Sequence, residues 1–408
     1  MGTKLLGYVL VGAAVVVLGI VIYNNSGKSN VPLVFTPEQI LNSTWLNYKA
    51  QYLEPNTLRT LDKQRNNITT SEGESYTMLR AVTLGDKQTF DASWTWTKNN
   101  LQHKTGDKLF AWLFGQQPSG SYGVLTGQGG NTTASDADTD IALSLVFAYA
   151  RWQQQSYLGD ARDIITDIWN HDVVTIGGVP YMSADNLEKS SNNPNVAINV
   201  SYFSPAAYKI FAQVDLAHPW GQLVDSSYAT LGRVDAAPLD KAKSAGLPPD
   251  WVAMDRTTGA LSAPAGNGTN TTGFGFDALR VPWRLALDAA WYKDPHAYAT
   301  LKSFSFLDEQ WKANGKLAGK YGHDGSVVTE EESPSMYGGT IGYFINEDSK
   351  AAADIYQNKL VSLYDPGKNS WKDALSYYDD NWAWFGIALY NDLLPNLTAG
   401  LPPGALNK

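Results

Sequence analysis

The chain of 408 residues is 43% hydrophobic and 17% charged, which is enough apolar content to fill a large core and rules out wholesale disorder. With 31 Lys and Arg against 40 Asp and Glu, the net charge of −9 repels phosphate backbones and argues against a nucleic-acid partner. The lack of cysteine excludes disulfides, thiolate metal sites and cysteine nucleophiles.

In chain order, the first feature is Leu5 to Tyr23, nineteen residues without a charge. At ~1.5 Å per residue such a helix nearly matches a ~30 Å hydrocarbon layer. The run continues through Ile20, Val21 and Ile22 into bulky Tyr23 rather than ending in a small-x-small site, which favours a retained transmembrane helix over a cleaved leader. Lys4 and the α-amino group precede it, so the positive-inside rule places the N-terminus in the cytoplasm and the rest of the chain outside. Residues 1–23 are thus read as an anchor and 24–37, opening with the polar stretch Asn24 to Asn30, as a linker. The remaining 38–408 form the folded body.

Apolar periodicity and stop signals predict twelve helices, over 38–54, 72–84, 86–102, 138–154, 156–171, 204–215, 218–233, 276–290, 294–313, 335–346, 348–362 and 378–392. Short turns alternate strictly with long connections at 55–71, 103–137, 172–203, 234–275, 314–334 and 363–377. Short links force antiparallel neighbours, so the chain reads as six helical hairpins with all long loops on one face. The expected fold class is all-α: an (α/α)6 barrel of six hairpins, preceded by one N-terminal transmembrane helix. No repeat of fixed period supports the competing α-solenoid.

Long loops in compact domains carry function, and here they lead into the even-numbered helices. Acidic and aromatic groups recur at those starts: Glu72, Glu74 and Tyr76; Asp136, Asp138 and Asp140; Tyr202; Asp277 with Arg280; Tyr337; Tyr378 and Asp379. The loops add Trp112, Tyr122, Tyr181 and Trp251. Any one carboxylate there is explained by helix capping. Six such ends converging fit a different chemistry, in which two carboxylates across an aromatic-lined groove supply the acid and the base that cleave a glycosidic bond. Tyr76, Tyr202, Tyr378 and Trp112 offer ring faces for sugars, and Arg280 can pair with hydroxyls. The five His fall in no metal-ligand spacing, and no phosphate-cradling loop or nucleophile elbow occurs. No metal and no cofactor are expected.

Four stretches in order, Ser71-Glu72-Gly73-Glu74-Ser75-Tyr76-Thr77-Met78, Ala134-Ser135-Asp136-Ala137-Asp138-Thr139-Asp140-Ile141-Ala142, Ser201-Tyr202-Phe203-Ser204-Pro205-Ala206-Ala207-Tyr208 and Phe276-Asp277-Ala278-Leu279-Arg280-Val281-Pro282-Trp283-Arg284, resemble glycoside hydrolase family 8, the bacterial endo-β-1,4-glucanases. The resemblance implies the same (α/α)6 barrel. It also implies Glu72 as general acid, Asp277 as the base that activates water with help from Tyr202, Asp136 or Asp138 holding and distorting the sugar, and Trp112 as a stacking platform. Leu279 stands where the family often has Cys, and Glu74 where it often has Gln or Gly. The expectation is an inverting endo-glucanase acting on a β-glucan, monomeric, anchored in a bacterial membrane with its catalytic domain outside the cytoplasm. Xylan, chitosan or mixed-linkage β-glucan are alternative substrates, and a non-catalytic glycan-binding scaffold is the alternative of another class.

Overall fold

Helix starts follow the punctuation of the sequence. Thr70 caps the second helix by accepting from the Gly73 amide, Asp86 caps the third through Thr89, and Ser333 and Ser376 do the same further on, each satisfying a donor that the first turn leaves free. The computed structural model describes residues 35–265 and 271–407; the expected membrane helix Leu5–Tyr23 lies outside them. Among the described residues no helix is long and apolar enough to cross a membrane.

The helices are α1 (Pro37–Tyr52), α2 (Ser71–Leu84), α3 (Lys87–Asn100), α4 (Ser135–Trp152), α5 (Gln155–Asp172), the single turn α6 (Leu187–Ser190), α7 (Pro205–Val214), α8 (Trp220–Ala236), α9 (Arg280–Tyr292), α10 (Pro295–Ser303), α11 (Ser305–Asn314), α12 (Pro334–Glu347), α13 (Ser349–Ile355) and α14 (Tyr377–Tyr390). Neighbouring packing runs α2 to α4 to α7 to α9 to α12 to α14. The circuit closes where Arg80 of α2 donates to Asp380 and Asn381 of α14 at 2.9 and 3.0 Å. These six inner helices are apolar or buried nearly all round: in α2 every residue from Ser71 to Val82 except Glu72 is buried. The outer helices bury one stripe, as in α5 with Tyr157, Leu158, Ala161, Ile164, Ile165 and Ile168, the spacing of a helix with one wet face. Glycine permits the tightest inner contact: a Cβ on Gly338 of α12 would stand 1.9 Å from the Trp382 carbonyl oxygen of α14.

The architecture is mostly helical rather than purely so. Among the described residues the long loops carry five small antiparallel sheets, including Thr69–Thr70 with Leu113–Gln116 and Tyr122–Val124, and Asn195–Ile198 with Val252–Asp255 and Leu261–Ser262. Runs of two to four residues are too short to display an alternating pattern. The helix expected over 294–313 divides at Phe304. There, Phe304 N–H bonds to Leu301 O and Leu307 N–H to Phe304 O, i to i+3 bonds that eclipse the three fully buried side chains on one face. The helix expected from 276 begins at Arg280, because the Gly275 and Ala278 amides are taken by the Asp250 carboxylate and Phe276–Leu279 form a turn.

Candidate active site

Arg280, the first residue of α9, is 1% exposed and stands at the centre of the loop face. Its Nη1 donates to Glu72 Oε2 at 2.9 Å and Asp136 Oδ2 at 2.7 Å, with the Tyr76 hydroxyl at 3.4 Å. Its Nη2 donates to Asp277 Oδ1 and Ser201 Oγ, both at 2.7 Å. A planar fork with fixed donors matches such a set where an ammonium would not. Three carboxyl groups from α2, α4 and the turn before α9 therefore meet on one guanidinium. The fork's terminal nitrogens stand ~2.3 Å apart, so Glu72 Oε2 and Asp277 Oδ1 are held within about 8 Å of each other.

Exposure separates the three acids. Glu72 and Asp277 keep 24% and 32% of their side chains open, whereas Asp136 keeps 3%. Burial pushes Asp136 up to about 6; Arg280 pulls against this and the Glu72 charge adds to it. Glu72 Oε1 accepts from the Tyr377 hydroxyl at 2.6 Å, and Asp277 Oδ2 accepts from the Trp251 indole at 3.0 Å. Burial, followed by the Glu72 charge, holds Tyr377 well above the usual phenol range, so it remains a donor. Tyr202 is likewise raised by burial and by Asp136 and Asp277; its ring lies under the Arg280 guanidinium at 5.3 Å and edge-on to Trp251. Tyr378 donates to the Phe276 carbonyl and packs edge-on against that exposed ring, lining the Asp277 side. Trp112 is half-buried, donates Nε1–H to Gly129 O at 3.0 Å and accepts from the Ser71 amide through its carbonyl, directly beside Glu72.

The family model described as "Glycosyl hydrolases family 8" matches residues 31–377. The chain belongs to glycosyl hydrolases family 8. It is 35% identical over 244 residues to a probable endoglucanase of Novacetimonas hansenii, a match covering 58% of this chain and 64%, less than two thirds, of that protein. It is 30% identical over 358 residues to an endoglucanase of Escherichia coli (strain K12), covering 86% and 90%. The solved structure of endo-β-1,4-glucanase CMCax from Acetobacter xylinum aligns with a TM-score of 0.66 at 24% identity, over 88% of this chain and 99% of that one, a likeness of fold. The barrel is thus the (α/α)6 architecture of family 8.

Within this family 8 chain, Glu72, Asp277, Asp136, Arg280, Tyr76, Tyr202, Tyr378 and Trp112 gather on the loop face. Asp138 does not join the Arg280 cluster. Its Oδ1 accepts from the Phe110 amide at 3.0 Å, while its Oδ2 and that of Asp172 are buried without partners. Burial and the Asp172 charge push Asp138 well above the carboxylate range, so this acid serves the loop leading to Trp112. Sequence reasoning passed over Tyr377 and Ser201. Ser201 lies inside a stretch that carries the family resemblance and Tyr377 at the start of α14, but nothing in a linear pattern says which hydroxyl faces a carboxylate.

Proposed function

We propose that this chain is an inverting endo-acting β-1,4-glucanase, held at the outer face of a bacterial membrane by Leu5–Tyr23 and working as a monomer on a cellulose-like polymer. The observation that carries the reading is the single guanidinium with Glu72 at one end and Asp277 at the other. Arg280 caps their separation at about 8 Å, and the reading requires that it lie in the ~6.5–9.5 Å range that leaves room for a water between acid and base. Glu72 gives its proton to the glycosidic oxygen as the C–O bond breaks; Asp277 takes a proton from the water that attacks the anomeric carbon from the opposite side. The products are a free reducing end and a new non-reducing hydroxyl, and both carboxyls, being open to solvent, exchange protons back. Asp136, fixed by Arg280, accepts from hydroxyls of the sugar at the cleavage point, and Trp112 stacks beneath a neighbouring ring. The apolar run before Asn24 and its single preceding lysine support the anchor.

Reducing-end release is measured on soluble cellulose derivative, xylan, chitosan and mixed-linkage β-glucan, beside Glu72→Gln. Release from the cellulose derivative that the variant loses, with the α-anomer appearing first by NMR, supports the reading. Release confined to another polymer replaces the substrate, and retention on a glycan column without release from any of the four replaces the enzyme with a scaffold.

A further inference from the structure

The turn that carries Asp277 is held by a second carboxylate. Asp250 is 5% exposed, and its Oδ1 accepts from the Gly275 amide at 3.0 Å and the Ala278 amide at 2.9 Å, so one oxygen straddles Phe276 and Asp277. The next residue, Trp251, donates its indole N–H to Asp277 Oδ2. One dipeptide thereby fixes both the backbone and the carboxylate plane of Asp277. The dipeptide is itself tied down, Asp250 N–H to Gly273 O at 2.6 Å and Trp251 N–H to Thr271 O at 2.9 Å. Lys320 completes the arrangement: its Nζ lies 3.3 Å from Asp250 Oδ2 and 3.1 Å from Thr271 Oγ1. Its stem crosses two glycines, where a Cβ would stand 2.8 Å from Lys320 Cε at Gly273 and 3.2 Å from Cδ at Gly275. The backbone is bare where the lysine must pass.

We propose that Asp250 and Lys320 form an ion pair that positions the base Asp277 and balances the charge beside it. The proposal rests on reading Asp277 as the base. A buried anion next to a base works against its ionised form, and an ammonium on the far side of that anion cancels the effect. The mutual effect is visible on Asp250, which burial, and after it the Asp277 charge, push up to about 6 while Lys320 pulls it down. The other charged or titratable groups around Asp277 are Arg280 at the start of α9, Glu72 on α2, Asp136 on α4, Tyr202 in the loop before α7 and Tyr378 on α14. None of them is altered by substitution at 250 or 320.

The test is the pH dependence of kcat/KM on the polymer that the wild type cleaves, for the full chain and its Asp250→Asn, Lys320→Met and Asp277→Asn variants. Asparagine keeps an acceptor for the two amides and removes the charge. Its acidic limb is expected to move down by about one pH unit. Lys320→Met leaves the Asp250 charge uncancelled, and its limb is expected to move up by a similar amount. A purely structural role would lower the rate in both without moving the limbs in opposite directions. If both limbs coincide with that of the wild type while Asp277→Asn is inactive, Asp250 and Lys320 are scaffolding and the proposal is overturned. If Asp277→Asn keeps wild-type activity, the assignment of the base fails first and the proposal with it. Should Asp250→Asn not fold, the Lys320→Met limb decides alone: an upward shift supports the pair and an unmoved limb overturns it.

Discussion

Two arginines one turn apart on α9 face two aspartates one turn apart on α4, and the two rungs of this ladder differ in charge. In the lower rung Arg284 meets a single carboxylate, Asp140, through two parallel bonds of 2.9 Å in a buried setting, with the Ser204 hydroxyl accepting at 3.3 Å. In the upper rung Arg280 meets Asp136 but also Glu72 and Asp277, two of the three open to water. One cation against one anion in a fork-to-fork geometry is a structural joint. One cation shared by three carboxyl groups at a solvent-facing cleft is an arrangement that folding alone does not require. The same residue types, a single helical turn apart, thus separate scaffold from chemistry.

The largest expected effect breaks the upper rung. Glu72→Gln keeps the shape and the Arg280 contact but cannot give a proton, and kcat is expected to fall by about 10²–10⁴, while the melting temperature stays level or rises as repulsion is relieved. Unchanged turnover would remove Glu72 from the mechanism. Next, Arg284→Met strands Asp140 in the core, and chemical denaturation should show a loss of roughly 3–5 kcal/mol. Adding Asp140→Leu is expected to restore most of it, because the remaining cost is that of an unpaired buried charge. A double variant no more stable than the single would mean that the ladder is held by something other than this pair.

Glu74 sharpens the comparison from a third side, since it is a buried acid with no cation at all. It is 0% exposed and its partners are the Thr60 amide and the Ser93 and Thr97 hydroxyls. Burial pushes it up to about 7 against those hydrogen bonds. The folded state therefore binds the proton more tightly than the unfolded one, so the contribution is fully present below the ordinary carboxylate value near 4.5 and is lost as pH rises through about 7. Wild-type stability is expected to decline over that window by about 3 kcal/mol. Glu74→Gln, which mimics the protonated form, should flatten the curve and be the more stable protein at pH 8. A wild-type curve as flat as that of the variant would show that Glu74 is ionised in the folded state at no cost.

The ladder also marks how far the sequence can be read. Hairpin alternation and the helix starts at Asp86 and Asp294 were legible because capping and short links act locally. The sheets in the loops were not, since strands of two to four residues form only when distant loops meet. Asp136 and Asp138 remained equivalent while the fourth helix was taken to begin at 138. Once it begins at Ser135, two positions apart means ~200° around the axis, and one acid faces Arg280 while the other turns to Phe110. Asp250 was invisible for a different reason: it acts on the backbone of a turn 25 residues later, and no spacing rule announces a carboxylate that captures amides in another loop.

The smallest effect tests the rim rather than the ladder. Trp112 reaches the α2 start through its backbone, whose carbonyl takes the Ser71 amide, and in the proposed reading its ring is the surface offered to the sugar. Trp112→Ala deletes only the ring, so the geometry at Glu72 is retained and kcat should hardly move. The lost stacking, roughly 1 kcal/mol, should appear as a several-fold rise in KM. A fall in kcat with KM unchanged would reverse that division, making the ring a support for the Glu72 rung instead of a surface for the substrate.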